Sequence, residues 1–416
     1  MLSQNKNIRS VELESRSWKL ADRVALFKSS IATKELTYMR TVLSAADREV
    51  LVKDRCTGRV RKMLMFASNN YLGLANHPHV INRVKKAIDD YGCGIGGPPL
   101  LNGYIKLIEE TEERLAALKD QEAAMLFSSG FMANVGLVSG LVERNDIILY
   151  DELSHASFFG GMKLTKAKAI SFLHNNVAEL EELLMKYYKE SVGSIFVFVE
   201  GVYSMNGDMA PLLEMGLLCR KYNAILIVDD AHGTGVLGET GSGTASLLDC
   251  SSLVEITMGT FSKTFATCGG FITGSADTIN YLRFHSRPYI FSASIPPPVT
   301  AAVLGGLEVM EQEPWLRTNL LANVKYAVEK LNKIEFCAAP EAAIIALKLP
   351  DGLDLRKASY LFDQKDIFIN SIEYPAVPVN GQRFRISMMA THTKEDIDRL
   401  AEVVEEVWNN AYAYTR

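Results

Sequence analysis

The sequence predicts an α/β fold: a mostly parallel central sheet covered by helices on both faces, with a smaller C-terminal α+β domain and an N-terminal arm. Three observations carry this expectation. Between residues 61 and 295, short apolar runs at 124–127, 147–150, 194–199, 224–228 and 255–258 are separated by longer stretches of helical periodicity. These runs are apolar throughout and do not alternate, as in strands buried on both faces. Glu200, Asp229, His232 and Lys263 each follow such a run, at the carboxyl ends where a parallel sheet opens its binding crevice.

In chain order, residues 1–60 read as an arm, with helical stretches expected at 12–27 and 36–44 and a polar turn at 54–58 leading into apolar 63–66. The arm has too few apolar residues to fold alone. Residues 61–295 form the large domain. Pro296-Pro297-Pro298 breaks the pattern. Residues 296–416 then supply a helix over 299–313, strands at 343–348, 367–372 and 383–388, and a closing helix over 394–412.

A chain of 416 residues, 48% hydrophobic and 22% charged, is long enough for two or three domains. A net charge of -5 offers no attraction to nucleic acid or an anionic membrane. Six cysteines without a CxxC pair suggest neither a zinc site nor a disulfide framework and fit reduced thiols in the cytoplasm. Residues 1–30 lack an apolar signal core, and no run reaches about 18 apolar residues, so neither secretion nor stable membrane insertion is expected.

The chemistry centres on Lys263, in Thr260-Phe261-Ser262-Lys263, and Asp229, in Asp229-Asp230-Ala231-His232. A lysine amine forms a Schiff base with an aldehyde, and a carboxylate keeps a pyridine nitrogen protonated. Together they suit pyridoxal 5'-phosphate (PLP). Gly259, Thr260, Ser262 and Thr264, ahead of Gly269-Gly270, leave room for a cofactor and donors for its phosphate. A second phosphate contact is expected where Ser128-Ser129-Gly130-Phe131 enters a helix, because free amides at a helix start favour anions. Ser-Ser-Gly there also reads as a plain helix cap.

His155 suits stacking on a flat ring or is a structural loop histidine. His232 suits the cofactor's phenolic oxygen. Its rival reading is metal ligation with Asp229 and Asp230, for which no further ligand is spaced nearby, so no metal is expected. Gly92, Gly94 and Gly97, and again Gly233, Gly235 and Gly238, satisfy GxGxxG. The first set follows a helical stretch and the second precedes residues 239–243, which cannot start a helix, so neither has the context of a dinucleotide site. Arg385, on an amphipathic strand, either pairs with a surface carboxylate or grips a substrate carboxylate with its fork of donors.

Seven motifs in order, Ser68-Asn69-Asn70-Tyr71-Leu72-Gly73-Leu74, residues 151–157, Glu200-Gly201-Val202-Tyr203-Ser204-Met205, 228–233, 259–263, Phe291-Ser292-Ala293-Ser294 and 385–393, resemble the α-oxoamine synthases of PLP fold type I. The resemblance covers about residue 63 to the C-terminus. It implies that Lys263 carries the cofactor and moves the α-proton, that Asp229 pairs with the pyridinium, that His155 stacks on the ring and that His232 meets the phenolic oxygen with Ser204 nearby. It implies phosphate contacts from Gly130, Phe131 and Thr260, completed by Ser292 and Ala293 of a second subunit in a homodimer with shared active sites. Asn69 and Arg385 would bind the substrate.

The implied reaction joins an amino acid to an acyl thioester, usually with loss of CO2, to give an α-amino ketone. Residues 259–263, 375–378 and 389–393 lean towards the serine-using branch, similar to bacterial serine palmitoyltransferases. Tyr374-Pro375 and Gly381-Gln382 are similar to a glycine-using branch. Glycine or alanine as amino donor, a simple aminotransferase and a catalytically silent subunit stay as alternatives. The presence of Lys263, Asp229 and His155 speaks against the last. Pro98-Pro99 stands where many members have Gly-Ser-Arg. It removes two amide donors from a loop expected near the acyl entrance, which admits an acyl carrier protein in place of CoA.

Overall fold

Strands apolar on both faces are satisfied only by a sheet with helices on either side. A computed structural model of the chain describes residues 19–31, 37–55, 57–374 and 376–411. Its strands are β1 Thr41–Val42, β2 Glu49–Lys53, β3 Val60–Met65, β4 Ala123–Phe127, β5 Ile147–Asp151, β6 Lys168–Phe172, β7 Ile195–Glu200, β8 Ile225–Asp229, β9 Ile256–Thr260, β10 Gly270–Gly274, β11 Ile344–Lys348, β12 Ile367–Phe368, β13 Asn370–Ile372 and β14 Arg383–Ser387.

The central sheet has the order β4-β10-β9-β8-β7-β5-β6. All neighbours from β9 to β6 are parallel, and β10 runs antiparallel to both β9 and β4. Period-2 alternation divides its side chains between two cores. Leu149, Val197 and Leu226 pack under the helices Val177–Glu190 and Leu212–Lys221, while Ile148, Phe198 and Ile227 face the helices Gly130–Leu141 and Ala276–His285. The register pairs Glu200 with Asp229 and Asp229 with Met258, so β7, β8 and β9 end together at one edge.

Two smaller sheets complete the fold. β1, β2 and β3 join β12 of the C-terminal part, and β14 lies between β11 and β13. Ser387 N donates to Phe66 O at 2.8 Å, tying the end of β14 to the segment after β3. None of the helices is long and apolar enough to cross a membrane, among the described residues.

Three expectations change. The stretch 36–44 is not a helix where it is described, because Thr41 and Val42 pair with Lys53 and Val52 in β1–β2, and tertiary pairing overrides local periodicity there. The run 367–372 is two strands in two sheets: Ile367 pairs with Leu64, whereas Asn370 pairs with Arg385. β6 and β10 were not expected. β6 is an edge strand whose residues are largely exposed, and β10 is bounded by glycines at both ends, so neither has the apolar run that marks the other strands. Residues 12–18 of the first expected helix and residue 412 lie outside the described residues, while Leu20–Ile31 is helical.

Candidate active site

A cavity of about 340 Å³ opens at the carboxyl ends of β7, β8 and β9, lined by Lys263, Asp229, His155, His232, Ser204, Gly130, Phe131, Thr260 and Arg385 together with Glu200, Ser157 and Ser262. A larger groove of about 700 Å³ lies at the opposite ends of these strands, beside Ile225 and Ile256, and contains no comparable constellation.

Lys263 projects from the tight connection between β9 and the antiparallel β10. Phe261 N donates to Gly269 O and Thr267 N to Phe261 O, both at 2.9 Å, and Thr264 Oγ1 donates to Thr234 O at 2.8 Å. Burial, and then the Arg385 guanidinium, lower the Lys263 pKa to about 8, so a useful fraction of the amine is an uncharged nucleophile near neutral pH.

Asp229 is buried at the end of β8. Its Oδ2 accepts from Asn134 Nδ2 at 2.8 Å and its Oδ1 from Ala231 N at 3.1 Å. Asn134 Nδ2 also donates to Ser157 Oγ at 2.8 Å, and that oxygen lies 2.7 Å from His155 Nδ1, so one chain of contacts links Asp229 to His155. Burial raises the pKa of Asp229 above its ordinary value. A cation laid against it would restore its charge, and a protonated pyridine is such a cation.

Glu200, its partner in the register, is also buried. Its Oε2 accepts from Ser204 N at 3.0 Å, while Oε1 has no hydrogen-bond partner among the described residues. Burial and then the Asp229 charge push Glu200 well above the usual range, so it is a neutral acid.

The phosphate cradle forms where the helix Gly130–Leu141 meets β9. Ser129 caps this helix by accepting from Met132 N at 3.1 Å, which leaves the Gly130 and Phe131 amides without intrahelical partners. A Cβ on Gly130 would come within 2.7 Å of Thr260 Oγ1, so only glycine lets this amide edge approach β9. Thr260 Oγ1 and Ser262 Oγ, 3.0 Å apart, add hydroxyls to the same wall. Ser-Ser-Gly is therefore both a cap and an anion-ready helix end.

On the opposite wall Arg385 Nη2 donates to Asn69 Oδ1 at 3.1 Å, and Arg385 Nε has no partner among the described residues. Tyr71 OH lies 2.6 Å from His232 Nδ1. Burial, then the charges of Lys263 and Arg385, hold His232 well below the ordinary histidine pKa, so its ring is neutral. A buried arginine with unspent donors beside a lysine of lowered basicity fits a carboxylate-bearing ligand. These features and the Gly130 cradle fit PLP with an amino acid.

Every predicted residue lines this cavity or touches a residue that does, except Ser292 and Ala293. These line a separate small pocket with Pro99 and Tyr289, which meets the cavity wall at Ser128. Asp230, weighed as a metal ligand, turns away from the cavity. Its carboxylate accepts from Lys119 Nζ at 2.7 Å and from Thr244 Oγ1 at 2.7 Å. The second glycine pattern belongs to that cluster, where a Cβ on Gly233 would come within 2.1 Å of Asp230 Oδ1.

Sequence reasoning gave no role to Asn134, Ser157 or Tyr71. Asn134 had a signal, since it is a lone amide in an otherwise apolar helix. Tyr71 and Ser157 lay inside recognised motifs, but their contacts join distant segments.

A family model for aminotransferase class I and II matches residues 61–404. The serine palmitoyltransferase of Sphingobacterium spiritivorum is 38% identical over 397 residues, covering 94% of this chain and 98% of that protein. The 8-amino-7-oxononanoate synthase of Bacillus pumilus is 38% identical over 384 residues, covering 90% and 97%. Among solved structures, the serine palmitoyltransferase of Sphingomonas wittichii superposes with a TM-score of 0.85 at 31% identity, covering 94% of this chain and 97% of that one. A structure described as SPT with PLP internal aldimine gives a TM-score of 0.84 at 28% identity, covering 94% and 96%. With the Lys263–Asp229 cavity at the sheet edge, these likenesses lead to one conclusion: the chain belongs to the aminotransferase class I and II family and is a PLP-dependent α-oxoamine synthase of fold type I.

Proposed function

We propose that the protein condenses serine with a long-chain acyl thioester and releases an α-amino ketone, CO2 and the thiol carrier. The observation that carries this reading is the Lys263 amine, its pKa lowered to about 8 by burial and by Arg385, in one cavity with Asp229. The likeness to serine palmitoyltransferases supports serine as the amino donor. The equal identity to an 8-amino-7-oxononanoate synthase favours a second reading, the same chemistry with alanine or glycine.

In this proposal PLP, when bound, supplies an aldehyde for amine exchange and an electron sink for the substrate's α-carbon. Asp229 Oδ atoms keep the ring nitrogen protonated, and Asn134 orients that carboxylate. His155 would cover the ring, and His232, positioned by Tyr71, would meet its phenolic oxygen, with Ser204 nearby. The Gly130 and Phe131 amides with Thr260 anchor the phosphate. Arg385 and Asn69 orient the amino acid carboxylate. Lys263 Nζ would hold the cofactor and would serve as the general base that moves the substrate's α-proton.

Ser292 and Ala293 lie outside the cavity of their own chain, which supports their serving the partner's phosphate in a homodimer with shared sites. Pro99 lines the same small pocket, and the acyl carrier, CoA or a carrier protein, is the substrate choice to assay. A cytoplasmic location accords with the five free cysteines among the described residues.

Absorbance titration of PLP-loaded protein with serine, glycine and alanine tests the proposal. Saturable change with serine, followed by release of free thiol on adding an acyl thioester, is the expected outcome. A response confined to glycine or alanine moves the enzyme to the second reading. Loss of the amino group without thiol release makes it an aminotransferase.

A further inference from the structure

His174 lies behind the cavity wall and has no part in the chemistry above. Its Nδ1 is 3.1 Å from Asp151 Oδ1 and its Nε2 is 2.7 Å from Asp208 Oδ2. Asp151 is buried at the end of β5 and already accepts from Leu153 N at 2.9 Å and Asn175 N at 2.8 Å, as an ionised carboxylate does. Carboxylates only accept, so a ring bonded to one at each nitrogen must carry both protons.

The two carboxylates belong to different loops. Asp151 begins the turn that carries His155, closed by Ser154 N donating to Asp151 O at 3.0 Å. Asp208 closes the turn that carries Ser204 and Met205, through Tyr203 N donating to Asp208 O at 2.9 Å. The Tyr203 ring meets His174 edge-on at 4.4 Å between centroids.

We propose that His174 is a positioning residue for the reaction: its imidazolium, held between Asp151 and Asp208, ties the loop bearing His155 to the loop bearing Ser204 and so sets the spacing of two cavity walls around the cofactor.

The surroundings favour the charged ring. Burial works against it, but hydrogen bonds to Asp151 and Asp208 outweigh that and raise His174 to about 9. Glu152 accepts the His174 main-chain amide at 3.2 Å and Glu179 accepts that of Leu173 at 2.8 Å. Tyr203 is a neutral phenol, pushed up by burial and then by Asp151. No cation that would expel the imidazolium charge is bonded to either carboxylate among the described residues.

The test pairs two measurements on the full chain. Histidine ring NMR follows the titration of His174, whose signal is identified by its loss in His174→Gln. Binding of PLP to the apoprotein is measured over the same pH range. The expected result is a His174 midpoint near pH 9, with PLP affinity falling through that window. Asp208→Asn removes one carboxylate, lowers the His174 midpoint by roughly one unit and moves part of the affinity loss down with it. The Lys263 contribution stays where it was. His174→Gln weakens PLP binding roughly tenfold at neutral pH, the scale of one lost charge-assisted hydrogen bond.

A His174 midpoint at or below the ordinary histidine value overturns the proposal. So does an Asp208→Asn variant that binds PLP, shows a shifted His174 midpoint and keeps the wild-type affinity profile. Asp208→Asn preserves side-chain shape, which keeps the test decisive if His174→Gln fails to fold.

Discussion

Asp229 and Asp230 are adjacent and both buried, at 4% and 2% exposure, yet they face regions built on opposite logic. Asp230 has Lys119 at 2.7 Å, with Thr234 and Thr244 completing the shell. Among the described residues, Asp229 has only neutral donors, Asn134 and Ala231 N, within hydrogen-bond reach. The first cluster is finished and structural. The second leaves a carboxyl group, a guanidinium nitrogen and an amine of lowered pKa awaiting a ligand. A buried ionisable group with its partner built in is spent on the fold, and one without marks where the partner is supplied from outside.

Substitutions on the two sides separate these roles. The largest effect is expected from Lys263→Ala, which abolishes turnover and the cofactor's lysine-linked absorbance band while the thermal midpoint of the apoprotein stays near wild type. Measurable turnover would end the assignment. Asp229→Asn follows, with kcat down roughly 10²–10³-fold, the scale of a lost electrostatic stabiliser. Because burial raises the folded pKa of Asp229 above its ordinary 3.8, folding favours the protonated form. That part of apoprotein stability is present below the ordinary value and lost as pH rises toward the folded one. Asp229→Asn should flatten this slope, and urea unfolding of the apoprotein from pH 4 upward measures it.

On the structural side, Lys119→Met strands Asp230 and should cost about 3–5 kcal/mol of stability, with activity per folded molecule retained. A loss of activity larger than the loss of folded protein would erase the distinction between the regions. Arg385→Lys keeps the charge but not the fork. It should raise KM for the amino acid roughly tenfold more than it lowers kcat, which steady-state kinetics reads directly.

The smallest effect is expected at Glu200. As a neutral acid it is mimicked by an amide, so Glu200→Gln should stay within about threefold of wild-type kcat/KM. A drop as large as that of Asp229→Asn would mean that Glu200 works ionised.

Much of this is legible in the sequence. The apolar runs of β5, β7, β8 and β9 identify themselves, since burial on both faces leaves little room for polar residues. Lys263 and Asp229 are found because each ends or follows such a run. β6 and β10 were hidden by exposure and by glycine. β12 and β13 share one apolar run, and only their partners, β3 and β14, reveal two strands.

The sequence alone thus determined the sheet class and the cofactor chemistry and marked the residues proposed to meet it, because periodicity, residue type and motif are local properties. Tertiary structure alone decided that Asp230 turns to Lys119 while Asp229 faces the cavity, that Asn134 connects Asp229 to Ser157, that Tyr71 meets His232, and that His174 spans two carboxylates. Hydrogen bonds and ion pairs between segments far apart in the chain depend on where the backbone returns, and no local pattern records that.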